Sequence, residues 1–422
     1  MSRENVVLGL GGTVDYEVEW NSAIIEGLIE DFAIDAAELD RFVPVDSERN
    51  LIVAILAHLR DGVGGEHFIT SSDTVKTFAS RFQKRITLGG TCVRAGLAMA
   101  KLGIPSTLHL VSIDDTVRRL LPASCTYICS ASADSTDPHL IVQFNGGATV
   151  RAGDIDLRAD HPNRIIFTND PPNTEMVLSK ELGNALRTAD AFLISGLNVI
   201  NERSVLDARL ATLGRELQNL PPGAVVFYED AGFHHAVFAP VVRDYMADTV
   251  TVYSMNEDEL QAHLNRPIDL LNAVDVCAAL RELHRLMPAR TTVVHTKYWS
   301  LAYGNNARRW RSCLKGGITM ASTRFCYGDN FTPADYEAVG QGPVNALGAE
   351  LAAELNQQLG ADVECLPALS LATQSPTTIG LGDSFVGGFI AAIIGQEQRL
   401  NDTTENANSV SRKSAEGQLL AQ

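Results

Sequence analysis

Short runs of consecutive apolar residues, several closed by glycine or an acid, alternate along this chain with stretches whose apolar residues recur every three to four positions. The run Val6-Val7-Leu8-Gly9-Leu10 ends in Gly11-Gly12 and reads as a buried strand. Residues 20–60 carry helical spacing (Ile24, Ile25, Leu28, Ile29, then Leu51 to Leu59), broken by Gly62 to Gly65. Ile86-Thr87-Leu88 leads into Gly89-Gly90, which opens a helix of small residues closed by Leu102-Gly103, and Thr107 to Val111 is the next strand. Residues 125–175 are rich in Thr, Asp, Asn, Pro and Gly, with short β-like runs at Leu140 to Phe144 and Arg164 to Thr168. That texture suits hairpins of a small sheet.

Beyond residue 175 strands and helices alternate. Ala191 to Leu197 is a buried strand, followed by a helix marked by Val205, Leu206, Leu210, Leu213 and Leu217 that Pro221-Pro222-Gly223 stops. Ala224 to Tyr228, Thr249 to Tyr253 and Thr292 to His295 are further strands separated by helical patterns. Repeated strand–helix–strand units predict a parallel sheet covered on both faces, with sites at the carboxyl ends of its strands. Phe385, Val386, Phe389, Ile390, Ile393 and Ile394 predict a last helix starting at or just after Gly382.

A chain of 422 residues suits a large α/β domain plus a smaller one. A net charge of −17 argues against nucleic acid or an anionic membrane as partner, though a local basic pocket or a metal can still accommodate a phosphorylated substrate. Seven cysteines, an odd number without a CxxC pair, fit reduced thiols better than a disulfide framework or a zinc site. No apolar run reaches membrane-spanning length, and the chain reads as soluble and cytoplasmic.

The candidate chemistry centres on Thr378-Ile379-Gly380-Leu381-Gly382-Asp383-Ser384. Free backbone N–H groups at the start of the predicted helix, with glycines beside them, make an anion site that a phosphate can approach closely. Asp383 repels that anion, which suits a general base taking a proton from a hydroxyl that attacks phosphorus. An ordinary strand–turn–helix corner with a capping aspartate is the other reading, and these residues alone leave both open.

The segment GLGDSFVGGF resembles the C-terminal signature of the ribokinase-like sugar kinases, and further stretches are similar to their ADP-dependent glucokinase and phosphofructokinase branch. The resemblance implies a ribokinase-like α/β fold, a large mainly parallel sheet flanked by helices, with a smaller discontinuous β-rich lid domain. Residues 1–14, 89–124 and 176–400 would form the large nucleotide-binding domain and 15–88 with 125–175 the lid, leaving 401–422 as a mobile tail. Asp383 would be the base, with Gly380, Leu381 and Gly382 forming the anion hole. Asp15 and Gly89-Gly90 would hold the sugar. Arg94, where many of these kinases carry asparagine, is either a surface residue or a reader of an anionic group on the acceptor.

Asn256 and Glu259 match the branch's N-x-x-E pattern. Glu229 matches the acid of its H-x-E pattern, with Phe227 in place of the histidine. Glu229 and Glu259 would surround Mg2+ through water, with Asn256, His295 and Thr296 on the nucleotide side, although a core histidine is the plainer reading of His295. Ser322-Thr323-Arg324-Phe325 through Asp329 resembles a family loop that precedes the last motif. The implied activity is transfer of the terminal phosphoryl group of ADP to a hydroxyl of a sugar or sugar phosphate. An ATP-dependent carbohydrate or nucleoside kinase of the same superfamily, or a retired sugar-binding protein, are the alternatives. The acceptor and the oligomeric state stay open.

Overall fold

A computed structural model describes residues 5–373 and 376–395. The polar tail expected over 401–422 lies outside the described residues. The strands are β1 (Asn5–Leu8), β2 (Thr13–Glu19), β3 (Gly65–Phe68), β4 (Lys84–Gly89), β5 (Ser106–Leu110), β6 (Cys125–Cys129), β7 (His139–Phe144) and β8 (Thr149–Ala152). They continue as β9 (Ile155–Arg158), β10 (Asn163–Thr168), β11 (Ala189–Ile194), β12 (Val225–Glu229), β13 (Val252–Asn256), β14 (Thr291–His295), β15 (Trp299–Gly304) and β16 (Val363–Pro367).

Nine strands form the larger sheet in the order β16-β15-β14-β13-β12-β11-β1-β5-β6. Every pairing from β14 to β6 is parallel; β15 and β16 turn antiparallel at one edge. Alternate side chains of these strands enter two apolar layers, so helices cover both faces. Helices Arg203–Leu217, Ala239–Thr249, Ala273–Leu286 and Ala346–Leu359 pack on one face. Helices Thr91–Lys101, Arg311–Tyr327 and 381–395 pack on the other. The expected architecture, a large mainly parallel sheet flanked by helices with a smaller sheet apart from it, is what the structure has.

Helix 381–395 begins one residue ahead of Gly382 and buries the six apolar residues that announced it. Its seat is set by backbone-to-backbone contact. A Cβ at Gly387 would fall 2.7 Å from the Ala95 carbonyl, and one at Gly388 would overlap the carbonyl of Gly316. Glycine lets this helix lie directly on its two neighbours, and every residue at its N-terminus is placed accordingly.

The smaller sheet has the order β3-β10-β7-β2-β4. Helices Ser22–Phe32, Glu48–Asp61 and Ser72–Ser80 close its core. Its pairings are mixed: β2–β4 and β7–β10 are antiparallel, β2–β7 and β3–β10 parallel. This corrects the expectation of hairpins alone; among the described residues a two-stranded ladder of β8 and β9 is the local hairpin of that stretch. Two placements differ from the sequence reading. Cys125–Cys129 pairs with β5 at the edge of the larger sheet, on the far side of the boundary drawn at residue 125. Asp15 does not follow the end of β1 directly; it sits inside β2 of the smaller sheet, opposite Thr87. The chain crosses between the sheets at Gly11-Gly12 and returns at Gly89-Gly90, where the two glycine pairs touch.

Candidate active site

Gly380 takes a left-handed φ of 69°, and the helix then starts at Leu381. The Gly380 carbonyl receives both the Ser384 amide at 3.0 Å and its hydroxyl at 2.8 Å. The amides of residues 381–383, in the first turn, lack intrahelical partners and carry the positive end of the helix dipole. Asp383 stands beside them, its carboxylate about one-quarter exposed.

Arg94 is the residue that joins this turn to the smaller sheet. Its guanidinium is 5% exposed, donates to Asp15 Oδ2 at 2.8 Å, and lies 3.8 Å from Asp383 and 3.9 Å from Glu17. Burial opposes its charge, but Asp15, Asp383 and Glu17 outweigh that and hold its pKa above the ordinary value. The surface reading of Arg94 is therefore wrong, and its charge is already met by carboxylates of its own chain. Asp15 also accepts from Thr13 Oγ1 at 2.7 Å, and a Cβ at Gly89 would overlap that carboxylate. Gly89 thus clears room for Asp15, and Gly90, with φ 84°, starts the helix that carries Arg94.

A polar group that sequence reasoning missed supports the same crossing. Asn173 donates to the Gly12 carbonyl at 2.9 Å and to Asp170 at 2.7 Å, and His139 Nε2 meets Asp170 at 3.1 Å. Burial disfavours the His139 imidazolium, yet Asp170, Asp15 and Glu66 together raise its pKa. Glu66 in turn meets His234 Nε2 at 3.1 Å, a contact between the smaller sheet and the loop after β12. Asn173 and Asp170 are three residues apart in one helix cap, but the bonds to Gly12, His139 and His234 span from about thirty to well over a hundred residues, so no local pattern announced those.

On the other side of the helix start lies a cavity of about 450 Å3 lined by Asn256, His295, Thr296, Phe325, Leu381 and Gly382 among others. Asn256 caps helix Glu257–Leu264: its Oδ1 accepts from the amides of Asp258 and Glu259, and Glu259 Oε2 accepts from the Asn256 amide at 2.8 Å. The N-x-x-E spacing is thus a capping box. The Thr296 hydroxyl is used within the β14–β15 turn, bonded to Trp299. His295 lines the cavity and is nonetheless largely buried: it meets Glu229 Oε1 at 2.9 Å and stacks on Phe385 with ring centroids 4.5 Å apart. Burial lowers its pKa, but the charges of Glu229 and Glu259 more than reverse this. Phe227 is fully buried against Phe389, so its side chain belongs to the core.

Glu229 and Glu259 are short of cations. Glu229 Oε2 is buried without a hydrogen-bond partner. Burial first, then the charge of Glu229, pushes the Glu259 carboxyl up to about 8. Hard, unsatisfied oxygens of this kind fit a magnesium ion. Among the described residues no three acid, histidine or cysteine side chains form a metal cluster, so such an ion would keep waters or substrate oxygens in its shell.

A helix start with free amides, an acid beside them and a cavity of about 450 Å3 against the same turn together have the form of a phosphoryl-transfer site. The chain matches the family model "ADP-specific Phosphofructokinase/Glucokinase conserved region" over residues 4–388 and belongs to that family, the ADP-dependent sugar kinases. Comparison with curated proteins finds no match. Among solved structures it is similar to a phosphofructokinase from Pyrococcus horikoshii OT3 with AMP, at 16% identity and a TM-score of 0.75, covering 94% of this chain and 98% of that one. A hypothetical ADP-dependent phosphofructokinase from the same organism gives 16% identity and 0.74, covering 94% and 99%. An ADP-dependent kinase in complex with fructose-6-phosphate and ADPbetaS gives 13% and 0.68, covering 92% and 93%.

Proposed function

We propose that this chain moves the terminal phosphoryl group of ADP to a hydroxyl of a sugar or sugar phosphate, with Asp383 as general base. One observation carries the reading: the Asp383 carboxylate stands at the helix start, between the cavity walled by Leu381 and Gly382 and the Asp15–Arg94 pair. The ADP-dependent family membership and the AMP, fructose-6-phosphate and ADPbetaS in the relatives' structures support it. ADP enters the cavity with its adenosine against Phe325 and its neighbours, and its terminal phosphate reaches the free amides of residues 381–383. The acceptor lies over Gly89-Gly90 with hydroxyls on Asp15. Asp383 removes the proton of the attacking hydroxyl, the new P–O bond forms, the bond to the AMP oxygen breaks, and AMP leaves.

Glu229 and Glu259 would hold Mg2+, whose charge offsets that of the diphosphate. The smaller sheet closes over the acceptor as a lid and keeps water from competing for the phosphoryl group. Seven free cysteines, mostly buried, are consistent with a reducing cytoplasm as the place of action.

Asp383→Asn tests the assignment. It keeps the shape and can still cap the helix, so a purely structural aspartate predicts a mild effect. Loss of a general base predicts a fall in kcat of about 10²–10⁴-fold with ADP affinity unchanged or improved. A kcat within a few-fold of wild type would remove the base. Initial rates with ADP and ATP on glucose, fructose 6-phosphate, ribose 1-phosphate and nucleosides test donor and acceptor together, and ADP is expected to be the better donor.

A further inference from the structure

A second cavity, about 370 Å3, is lined in part by Arg94 and shares no lining residue with the cavity beside Leu381 and Gly382. Strand β4, helix Thr91–Lys101 and Phe331 wall it, and its surface is mostly apolar: Ile86, Leu88, Leu97, Ala98 and Leu120. Three cations line this apolar space, Arg94, Arg324 and Lys101, against a single acid, Asp329. In a chain of net charge −17, such a local excess needs a reason.

Arg94 is matched by Asp15 and its neighbours, but the other two are not fully matched. Arg324 is 5% exposed; its Nε donates to the Ile379 carbonyl at 2.8 Å, and Nη1 pairs with Asp329. Its Nη2 is buried without any partner. Asp329 itself is shared, with Arg85 3.4 Å away. Lys101 is exposed at the rim and lies over the Phe331 ring at 5.7 Å. A buried guanidinium nitrogen that lacks an acceptor costs free energy unless a ligand supplies one.

We propose that this cavity binds a compact amphiphilic anion, an apolar body of a few carbons bearing one carboxylate or phosphate. The body lies along Leu97, Ala98 and Leu120, and the anionic head is met by Arg324 and Lys101. The site holds whether or not Asp383 is the base, since it uses neither that residue nor the nucleotide cavity.

Calorimetric titration of the full chain with octanoate, octyl phosphate and octanol tests this. At least one anion should bind saturably, about tenfold or more tighter than octanol, and the tighter of the two identifies the head group. Lys101→Glu, an exposed change, should weaken the anion about tenfold and leave octanol unaltered. Ala98→Phe should abolish binding by filling the cavity. No saturable binding by either anion, octanol binding as tightly as both, or Lys101→Glu leaving the anion's affinity unchanged would each overturn the proposal. The octanol comparison is made on the wild type, so it decides even if a variant does not fold.

Discussion

On one side of the helix start, the side proposed for the acceptor, Asp15, Glu17 and Asp383 gather around one buried guanidinium supplied by the chain itself. Near Gly382, Glu229 and Glu259 face a titratable imidazole, His295, in place of a permanent cation. His295 serves one Glu229 oxygen, the other has no partner, and Glu259 is pushed up to about 8. The two acid groups flank one helix turn and differ in where their positive charge comes from. On the function proposed above, the first group would keep a permanent counter-ion while it holds the acceptor, and the second would be left short of charge for an arriving metal, with which a built-in cation would compete. The unsatisfied oxygen is thus informative: burying such an atom is costly unless a ligand removes the cost.

Removing Arg94 should break the self-sufficient half. Arg94→Met keeps the apolar stem and takes the guanidinium from Asp15 and Asp383, while Glu17 keeps Arg85 at 2.6 Å. Breaking a buried pair in this way costs about 3–5 kcal/mol, which denaturant unfolding would read directly. Adding Mg2+ should not restore it, and adding Asp15→Asn to that variant should recover part of the loss. Wild-type stability in Arg94→Met would mean that the acids were never dependent on it.

The cation-short half should respond in the opposite manner. Glu259→Gln removes a carboxyl whose ionisation its surroundings already oppose, while retaining an oxygen that can accept from the Asn256 amide. Stability without Mg2+ should therefore hold or rise slightly. Nucleotide affinity with Mg2+ should fall, on the order of tenfold to a hundredfold, in a titration run with and without the ion. If wild type and variant bind nucleotide equally in both conditions, no metal sits between these acids.

The asymmetry between the halves also marks what the sequence could disclose. The helix at 381–395, the Gly89-Gly90 turn and the Asn256–Glu259 cap are local devices, built from residues within one or two turns, and spacing alone exposes them. The strand-and-helix alternation after residue 175 is legible for the same reason. Arg94 is not, because its burial depends on a carboxylate 79 positions away and on a sheet whose strands are interleaved along the chain. Asp170 and Asn173 form a local cap of helix Pro171–Glu175, but what that cap holds, Gly12 and the His139 that opens β7, lies 161 and 31 positions away, beyond the reach of spacing. Cys125–Cys129 was assigned by the texture of its neighbours, yet it pairs with β5, and pairing partners are a long-range matter. Phe227 stands where the H-x-E pattern has histidine, and the Phe389 ring against it shows a core position.

The smallest expected effect concerns a second cation on the acceptor side. His139 is bonded to Asp170, and although burial works against its charge, Asp170, Asp15 and Glu66 raise its pKa above 6.5. A histidine whose folded-state pKa is raised binds its proton more tightly in the native chain than in the unfolded one. Its contribution to stability is full below the unfolded value near 6.5 and is lost as pH climbs through the raised native value. His295 and Glu259 also have raised values, so the wild-type profile alone cannot isolate His139. The difference between wild type and His139→Gln can. Unfolding free energies measured without Mg2+ from pH 6 to 9 should show the two proteins furthest apart at the acid end and converging as pH rises. His58 and His67 titrate in the other direction: burial lowers both, so their losses fall on the acid side of 6.5 and leave this window clear. A gap that stays constant across the range would show that His139 acts only as a neutral hydrogen-bond partner of Asp170.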